Sequence, residues 1–255
     1  MTALDPAFLR LPLAHRGLHD LAAGRPENSC SAIRAAVDAG YGIEIDVQVS
    51  SDGVAIVFHD YDLDRLTEAT GPVRARSAAG LAGIPLKGTD EGIPTLAEVL
   101  ALVAGRVPLL IEVKDQHGQM GPVDGVLERA VARDLAGYRG PVAVMSFNPH
   151  SVIALKDAAP DVPRGIVTCA YTPEDCPELP EDLRARLRAI PGYAEAGACF
   201  ISHEWDDLDR PRVAELAAEG AAILCWTIRS PDAEAAARRV AANITFERYL
   251  PELAP

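Results

Sequence analysis

Apolar residues arrive in short runs, and between most of these runs lie Ala/Leu/Val/Arg stretches of helical period. The runs predict strands over 11–15, 42–47, 107–113, 142–146, 164–168, 198–203, 221–228 and 243–247. The intervening stretches predict helices over 28–39, 95–103, 124–135, 149–158, 180–190, 210–218 and 231–240. Asn148-Pro149 and Ser230-Pro231 each put a capping residue before a proline that suits the first helical turn. Gly40 and Gly220 stand where helices should end. The runs Leu109-Leu110-Ile111 and Ala221-Ala222-Ile223-Leu224 lack polar alternation, as in strands buried on both faces. Eight strands interleaved with helices predict a parallel sheet closed as a TIM (β/α)8 barrel.

A ninth apolar run, Val54–Phe58, is different. Only Ser50-Ser51-Asp52-Gly53 separates it from the second strand, too short for a parallel crossover and typical of a hairpin. It is read as an antiparallel return that carries His59-Asp60 back toward the C-terminal end of that strand. The Gly- and Pro-rich stretch that follows has poor periodicity. The whole of residues 1–255 is therefore read as one barrel domain with an insertion at about 50–93.

Hydrophobic content is 49% and charged content 24%, ordinary values for a globular chain that rule out wholesale disorder. The net charge of −13 argues against nucleic-acid binding, which needs clustered positive charge. The longest greasy region, Val99–Ile111, is broken by Gly105, Arg106 and Pro108, so no membrane span is expected. No basic amphipathic helix suggests stable membrane association. The N-terminus carries Asp5 and Pro6 where a targeting segment needs apolar residues. The five cysteines form no C-x-x-C pair. Both features lead to an expectation of a reduced, cytoplasmic chain.

The strand ends are where a barrel keeps its chemistry. The first ends in Ala14-His15-Arg16-Gly17, the second runs Ile43-Glu44-Ile45-Asp46-Val47, and the third runs Ile111-Glu112-Val113-Lys114. Residues two apart on a strand share a face, so Glu44 and Asp46 point together, as do Glu112 and Lys114. Ile43, Ile45, Val47, Ile111 and Val113 then face the helices. Three converging carboxylates repel one another unless a cation offsets them, and oxygen-only donors select Mg²⁺ or Ca²⁺. The competing account is a buried ion-pair network with Arg16 and Lys114, but two bases compensate three acids less well than a divalent cation does. His15 and His59, brought to the same mouth, suit general acid/base work, and Arg16 and Lys114 suit a phosphoryl group. The assembly reads as phosphodiester cleavage.

The chain resembles the glycerophosphodiester phosphodiesterase family. The matching pieces are His15-Arg16-Gly17, Pro26-Glu27-Asn28-Ser29, Glu44-Ile45-Asp46-Val47, Asp52-Gly53 with His59-Asp60, Leu63-Asp64-Arg65-Leu66-Thr67, Ile93-Pro94-Thr95-Leu96, Glu112-Val113-Lys114, Ser146-Phe147 and Trp226-Thr227. They stand in the family's order and cover residues 13–228. The resemblance implies a phosphatidylinositol-phosphodiesterase-like barrel with an insertion after the second strand. It also implies hydrolysis of small-molecule glycerophosphodiesters to sn-glycerol 3-phosphate and an alcohol, within lipid and glycerol metabolism. By the same resemblance His15 and His59 match the catalytic pair. Glu44, Asp46 and Glu112 match ligands for one divalent cation, Mg²⁺ or Ca²⁺. Arg16 and Lys114 match phosphate contacts, Asn28 a polar substrate contact, and Trp226 an aromatic wall for glycerol. A lysophospholipase D-type activity and a catalytically inactive binder of a phosphorylated metabolite are the alternatives.

The sequence departs from the family pattern at Ile244-Thr245-Phe246-Glu247-Arg248-Tyr249, where an Asp is usual after the last strand. That change puts the far side of the pocket in question. His117 and the stretch Glu204-Trp205-Asp206-Asp207 are read as loop residues that could reach a headgroup. His19, His150 and Cys30 are read as structural or solvent-facing.

Overall fold

The computed structural model describes residues 2–253. In chain order these residues form strands β1 (Leu13–Ala14), β2 (Gly42–Val49), β3 (Ala55–Val57), β4 (Leu109–Val113), β5 (Val142–Ser146), β6 (Arg164–Thr168), β7 (Phe200–Glu204), β8 (Ala222–Ile228) and β9 (Asn243–Phe246). The helices are α1 (Cys30–Ala39), α2 (Ala78–Ala82), α3 (Leu96–Val103), α4 (Val126–Leu135), α5 (Pro149–Ala158), α6 (Glu181–Arg188), α7 (Pro211–Ala218) and α8 (Pro231–Ala237). The eight strands other than β3 pair in parallel from β1 through β2 and β4 to β9, and β9 returns to β1, which closes the barrel. β3 runs antiparallel to β2, with Val47 opposite Val57 and Val49 opposite Ala55, so the hairpin expectation holds.

Two hydrophobic layers follow from strand alternation. Ile43, Ile45, Val47, Ile111 and Val113 pack with Ile33, Val99, Val103 and Val131 of the helices. Inside the barrel, Leu13, Leu110, Ala143, Met145, Val167, Phe200 and Leu224 form a second core, stopped at its N-terminal end by Phe8. Gly165 makes room there, since a Cβ at that position would sit 2.3 Å from the Phe200 ring. The interior is thus apolar below and polar above, and the polar layer lies at the C-terminal mouth.

Helix starts are shifted where local chemistry intervenes. The expected helix over 28–39 begins at Cys30 because Ser29 caps it through the Ala32 N–H. Asn28 is left-handed there, with φ of 59°. Thr95 and Glu98 form a reciprocal capping box at the start of α3. The first strand is shorter than expected, with only Leu13 and Ala14 in the ladder. Between β3 and α3 the chain builds a small core of its own from Ile56, Phe58, Leu63, Val73, Leu81, Leu86 and Ile93. Among the described residues no helix is long and apolar enough to cross a membrane. The five cysteines are free thiols.

Candidate active site

The register of β2 against β4 fixes the acidic centre. Asp46 lies directly opposite Glu112, and Glu44 sits opposite Leu110 one inward position below. Like charges directly across a ladder are destabilising, so this pairing needs compensation. One oxygen from each of Glu44, Asp46 and Glu112 lies within 4.8 Å of the others, and all three residues are buried. Lys114 Nζ contacts Glu112 Oε1 at 2.8 Å and Asp46 Oδ1 at 3.3 Å. Arg16 Nε lies 3.3 Å from Asp46 Oδ2 without hydrogen-bond alignment, a buried donor with no hydrogen-bond partner among the described residues.

Burial drives the Glu44 carboxyl well above the ordinary range, and the adjacent Asp46 and Glu112 charges push it further. Burial also pushes Asp46 up, but Lys114, His59, Arg16 and His15 around it outweigh that and hold it far below the ordinary range. Burial lowers Lys114, yet Glu112 and Asp46 more than restore its charge. The bases therefore satisfy Asp46 and Glu112, while among the described residues the only hydrogen bond to the Glu44 side chain comes from the Arg16 backbone N–H at 3.1 Å.

Backbone geometry holds Arg16 in place. Arg16 and Gly17 are both left-handed, with φ of 55° and 78°. The Gly17 N–H reaches the Ala14 and Glu44 carbonyls, and a Cβ at Gly17 would meet the Ala32 backbone at 2.9 Å. The Asn28 N–H donates to the Arg16 carbonyl at 2.8 Å. Asn28 spends its side chain on Asp46: Nδ2 donates to Oδ2 at 2.9 Å, and Oδ1 accepts the Asp46 N–H at 3.3 Å. It is 1% exposed and, like Asp46, does not line the cavity, so in this structure it braces the acidic centre from behind.

The β2–β3 hairpin delivers His59. The Phe58 N–H donates to the Asp46 carbonyl, and Gln48 Nε2 donates to the His59 carbonyl at 2.9 Å. His59 Nδ1 is 2.6 Å from Asp60 Oδ1. Asp60 also accepts from Arg65 Nε at 2.6 Å and Nη2 at 2.9 Å. Arg65 grips Glu27 with two hydrogen bonds of 2.8 Å, and Glu27 Oε1 accepts from Arg16 Nη1 at 2.7 Å. An alternating chain of charges thus runs from Asp60, beside His59, through Arg65, Glu27, Arg16, Asp46 and Lys114 to Glu112.

His15 is held from the opposite side. Its Nδ1 lies 2.8 Å from Glu247 Oε2, at the end of β9. Burial moves the His15 imidazole below its ordinary range, and the Glu247 hydrogen bond offsets only part of that. The hydrogen bonds from His15 and His19 hold the Glu247 carboxyl far below the ordinary range. Because a carboxylate only accepts, His15 donates Nδ1–H to Glu247 and its Nε2 points away from that contact. No hydrogen bond engages its Nε2 among the described residues. The altered segment after the last strand thus still supplies an acid, one position past β9. His19, read from sequence as structural or solvent-facing, lies with Nε2 3.5 Å from the same Glu247 oxygen.

These groups share a cavity of about 160 Å³ with His15, Arg16, Glu44, His59, Glu112 and Lys114 in its wall. The opposite wall is Met145, Phe147, Val167 and Trp226. Trp226 packs edge-on to Phe147 at 5.6 Å and donates Nε1–H to the Ser202 carbonyl at 3.0 Å. Ser202 and Thr245 also line it, and their buried hydroxyls have no protein partner among the described residues. His117 is exposed and, like Glu204-Trp205-Asp206-Asp207, does not line the cavity. His203 bonds Thr168 Oγ1 and Asp207 instead, as a structural histidine does.

Sequence reasoning passed over Glu27, Arg65, Glu247, Ser202 and Thr245. Glu27 and Arg65 stood inside recognised motifs, and Gln48 continued the Glu44/Asp46 alternation. Glu247 carried the one visible signal of an acid just beyond the last strand.

A parallel barrel with carboxylates, cations and two histidines at its C-terminal mouth is an enzyme architecture of the hydrolase kind. The chain belongs to the glycerophosphoryl diester phosphodiesterase family, whose model matches residues 15–245. It is 28% identical over 229 residues to the Bacillus subtilis protein YhdW, an alignment taking in 86% of each chain. It is 33% identical to the glycerophosphodiester phosphodiesterase of Caldanaerobacter subterraneus, over 62% of this chain and 66% of that one. It is 37% identical to human glycerophosphodiester phosphodiesterase 1, over 64% of this chain and 50% of the human protein. In fold it matches an Oleispira antarctica phosphodiesterase solved with the product sn-glycerol-3-phosphate, with a TM-score of 0.75, 24% identity and 93% of both chains covered.

Proposed function

We propose that this chain, as one barrel domain with its insertion, is a divalent-cation-dependent hydrolase of glycerophosphodiesters, releasing sn-glycerol 3-phosphate and an alcohol. One observation carries the reading: His15, His59, Arg16, Lys114 and two of the three converging acids share one cavity at the barrel mouth. The Oleispira antarctica relative in fold, solved with sn-glycerol-3-phosphate, supports the same product class. The free thiols are consistent with a reducing compartment, and cytoplasmic placement is part of the proposal.

Glu44, Asp46 and Glu112 fit a hard cation. Their donors are all carboxylate oxygens, and among the described residues no basic side chain pairs directly with Glu44. Mg²⁺ or Ca²⁺ on these residues would supply charge stabilisation at the phosphoryl oxygens. The protein's own groups do the rest. Arg16 and Lys114 present positive charge to the phosphodiester. His15, oriented by Glu247 and moved by burial below its ordinary range, accepts a proton at Nε2 from the attacking hydroxyl. His59, backed by Asp60, donates a proton to the departing alkoxide. Trp226, Phe147 and Met145 give the glycerol carbons an apolar wall, and the free hydroxyls of Ser202 and Thr245 offer it polar contacts.

The test is release of sn-glycerol 3-phosphate from a panel of glycerophosphodiesters, with and without chelator. Chelation should abolish turnover, and Mg²⁺ or Ca²⁺ should restore it. His15→Ala and His59→Ala should each lower kcat by about 10²–10⁴-fold, the usual range for a lost acid or base. A loss under about threefold removes that histidine from the reaction. Lysophosphatidylcholine in the same panel separates the lysophospholipase D reading. A cyclic phosphate in single turnover would mark attack by a glycerol hydroxyl, and its absence would mark attack by water.

A further inference from the structure

His15, His19 and Glu247 form a cluster of their own beside the acidic centre, and no part of the reaction uses His19. Nδ1 of His15 and Nε2 of His19 lie 2.8 and 3.5 Å from the same Glu247 oxygen. All three donor atoms fall within 4.8 Å of one another. Donors on a tetrahedral ion with bonds of about 2.0–2.1 Å stand about 3.3 Å apart, so the spacing needs little adjustment. The two guanidiniums nearby, Arg229 at 2.6 Å and Arg248 at 3.4 Å, sit on the other Glu247 oxygen, Oε1. That leaves Oε2 to the histidines, and it matches the common arrangement in which a ligating carboxylate is also hydrogen-bonded. Arg229 and Arg248 are 52% and 73% exposed, so solvent screens their repulsion of a cation. His19 is 23% exposed, which opens the cluster to solution.

We propose that His15, His19 and Glu247 form a second metal site, selective for Zn²⁺ and similar borderline transition ions, that switches the enzyme off when filled. Two imidazoles and one carboxylate with an open fourth position are a zinc donor set, whereas Mg²⁺ and Ca²⁺ prefer the all-oxygen set next door. Binding at His15 Nδ1 displaces the proton that now goes to Glu247. The remaining nitrogen, Nε2, then carries the only ring proton and cannot accept another from a nucleophile. The inhibitory consequence rests on the role proposed above for His15; the binding itself does not.

The direct probe is Co²⁺, added with Mg²⁺ already saturating the three-carboxylate site. Wild-type protein should take up one further equivalent with the intense visible bands of a four-coordinate site, and His19→Ala should not. Crystals soaked in ZnCl₂ should show an anomalous peak among the three donors, a readout that does not depend on any variant folding. Absence of the bands in wild type, bands unchanged in His19→Ala, or a peak only among Glu44, Asp46 and Glu112 would each overturn the site. In the activity assay with Mg²⁺, Zn²⁺ should inhibit wild type, and His19→Ala should need at least about tenfold more Zn²⁺ for the same inhibition. Bands without measurable hydrolase activity would leave the metal site standing and reject the function assigned to the barrel mouth.

Discussion

At the scale of single residues, the site is organised by what stands behind each histidine. Glu247 faces His15 and Asp60 faces His59, each through Nδ1. Glu247→Gln keeps the shape but removes the charge that stabilises an imidazolium. A charge-assisted hydrogen bond contributes about 1.5–3 kcal/mol, so kcat should fall by about 10- to 100-fold. Loss of that carboxylate also removes what raises the His15 pKa, so the acidic limb of the kcat/KM profile should move to lower pH. An unmoved limb in the measured pH profile would show that Glu247 does not act through His15. The alternation of Glu44, Asp46, Glu112 and Lys114 was readable because strand period alone puts them inward. The amide contact of Asn28 with Asp46 was not legible, because it depends on a left-handed backbone turn that one sequence does not mark. Glu27 and Arg65 escaped for a related reason: their 2.8 Å contacts span 38 residues, and no local pattern encodes such a meeting.

At the scale of elements, most strands and helices followed from periodicity, and the exceptions have local causes. Strands β5 and β6 match their expected limits, since apolar runs end there at polar or turn residues. Helix α1 starts two residues late because a left-handed Asn28 and a capping Ser29 precede it. The α3 start is fixed by Thr95, and Thr95→Ala should lower unfolding free energy by about 0.5–2 kcal/mol in urea melts while leaving kcat unchanged. Within the barrel, Gly165→Ala pushes a methyl into the Phe200 ring. That overpacking should destabilise by about 1–3 kcal/mol, read as a lower urea midpoint. An unchanged midpoint would mean the ring has room to move aside.

At the scale of the whole molecule, charge arrangement sets two further responses. Burial pushes Glu27 and Asp60 up, but the contacts with Arg65, with Arg16 for Glu27 and with His59 for Asp60, hold both below the ordinary carboxylate range. Groups whose native pKa is depressed lend stability above the ordinary range and lose it as pH falls through that range toward the native values. The urea midpoint should therefore drop as pH falls from about 5 toward about 2, and Arg65→Ala should flatten that drop. The acidic centre works in the opposite sense, because metal-free protein must bury Glu44 beside two other acids. Saturating Mg²⁺ or Ca²⁺ should raise Tm, with about 2.7 kcal/mol gained at a hundredfold excess over Kd. Glu44→Gln should melt higher than wild type without the cation and gain less from it. Equal gains in the two proteins would place the cation elsewhere.

His15 and His59, the proposed proton carriers, ride on parts of unequal ruggedness. His15 follows a stave of the closed ring, while His59 follows β3, a three-residue strand outside the ring that is bonded to β2 on one edge, bridged only at Pro94-Thr95 on the other, and braced by the insertion's small core. Warming should loosen that appendage first, so catalytic competence should fade several degrees before the ring itself comes apart, and cooling should bring it back at once.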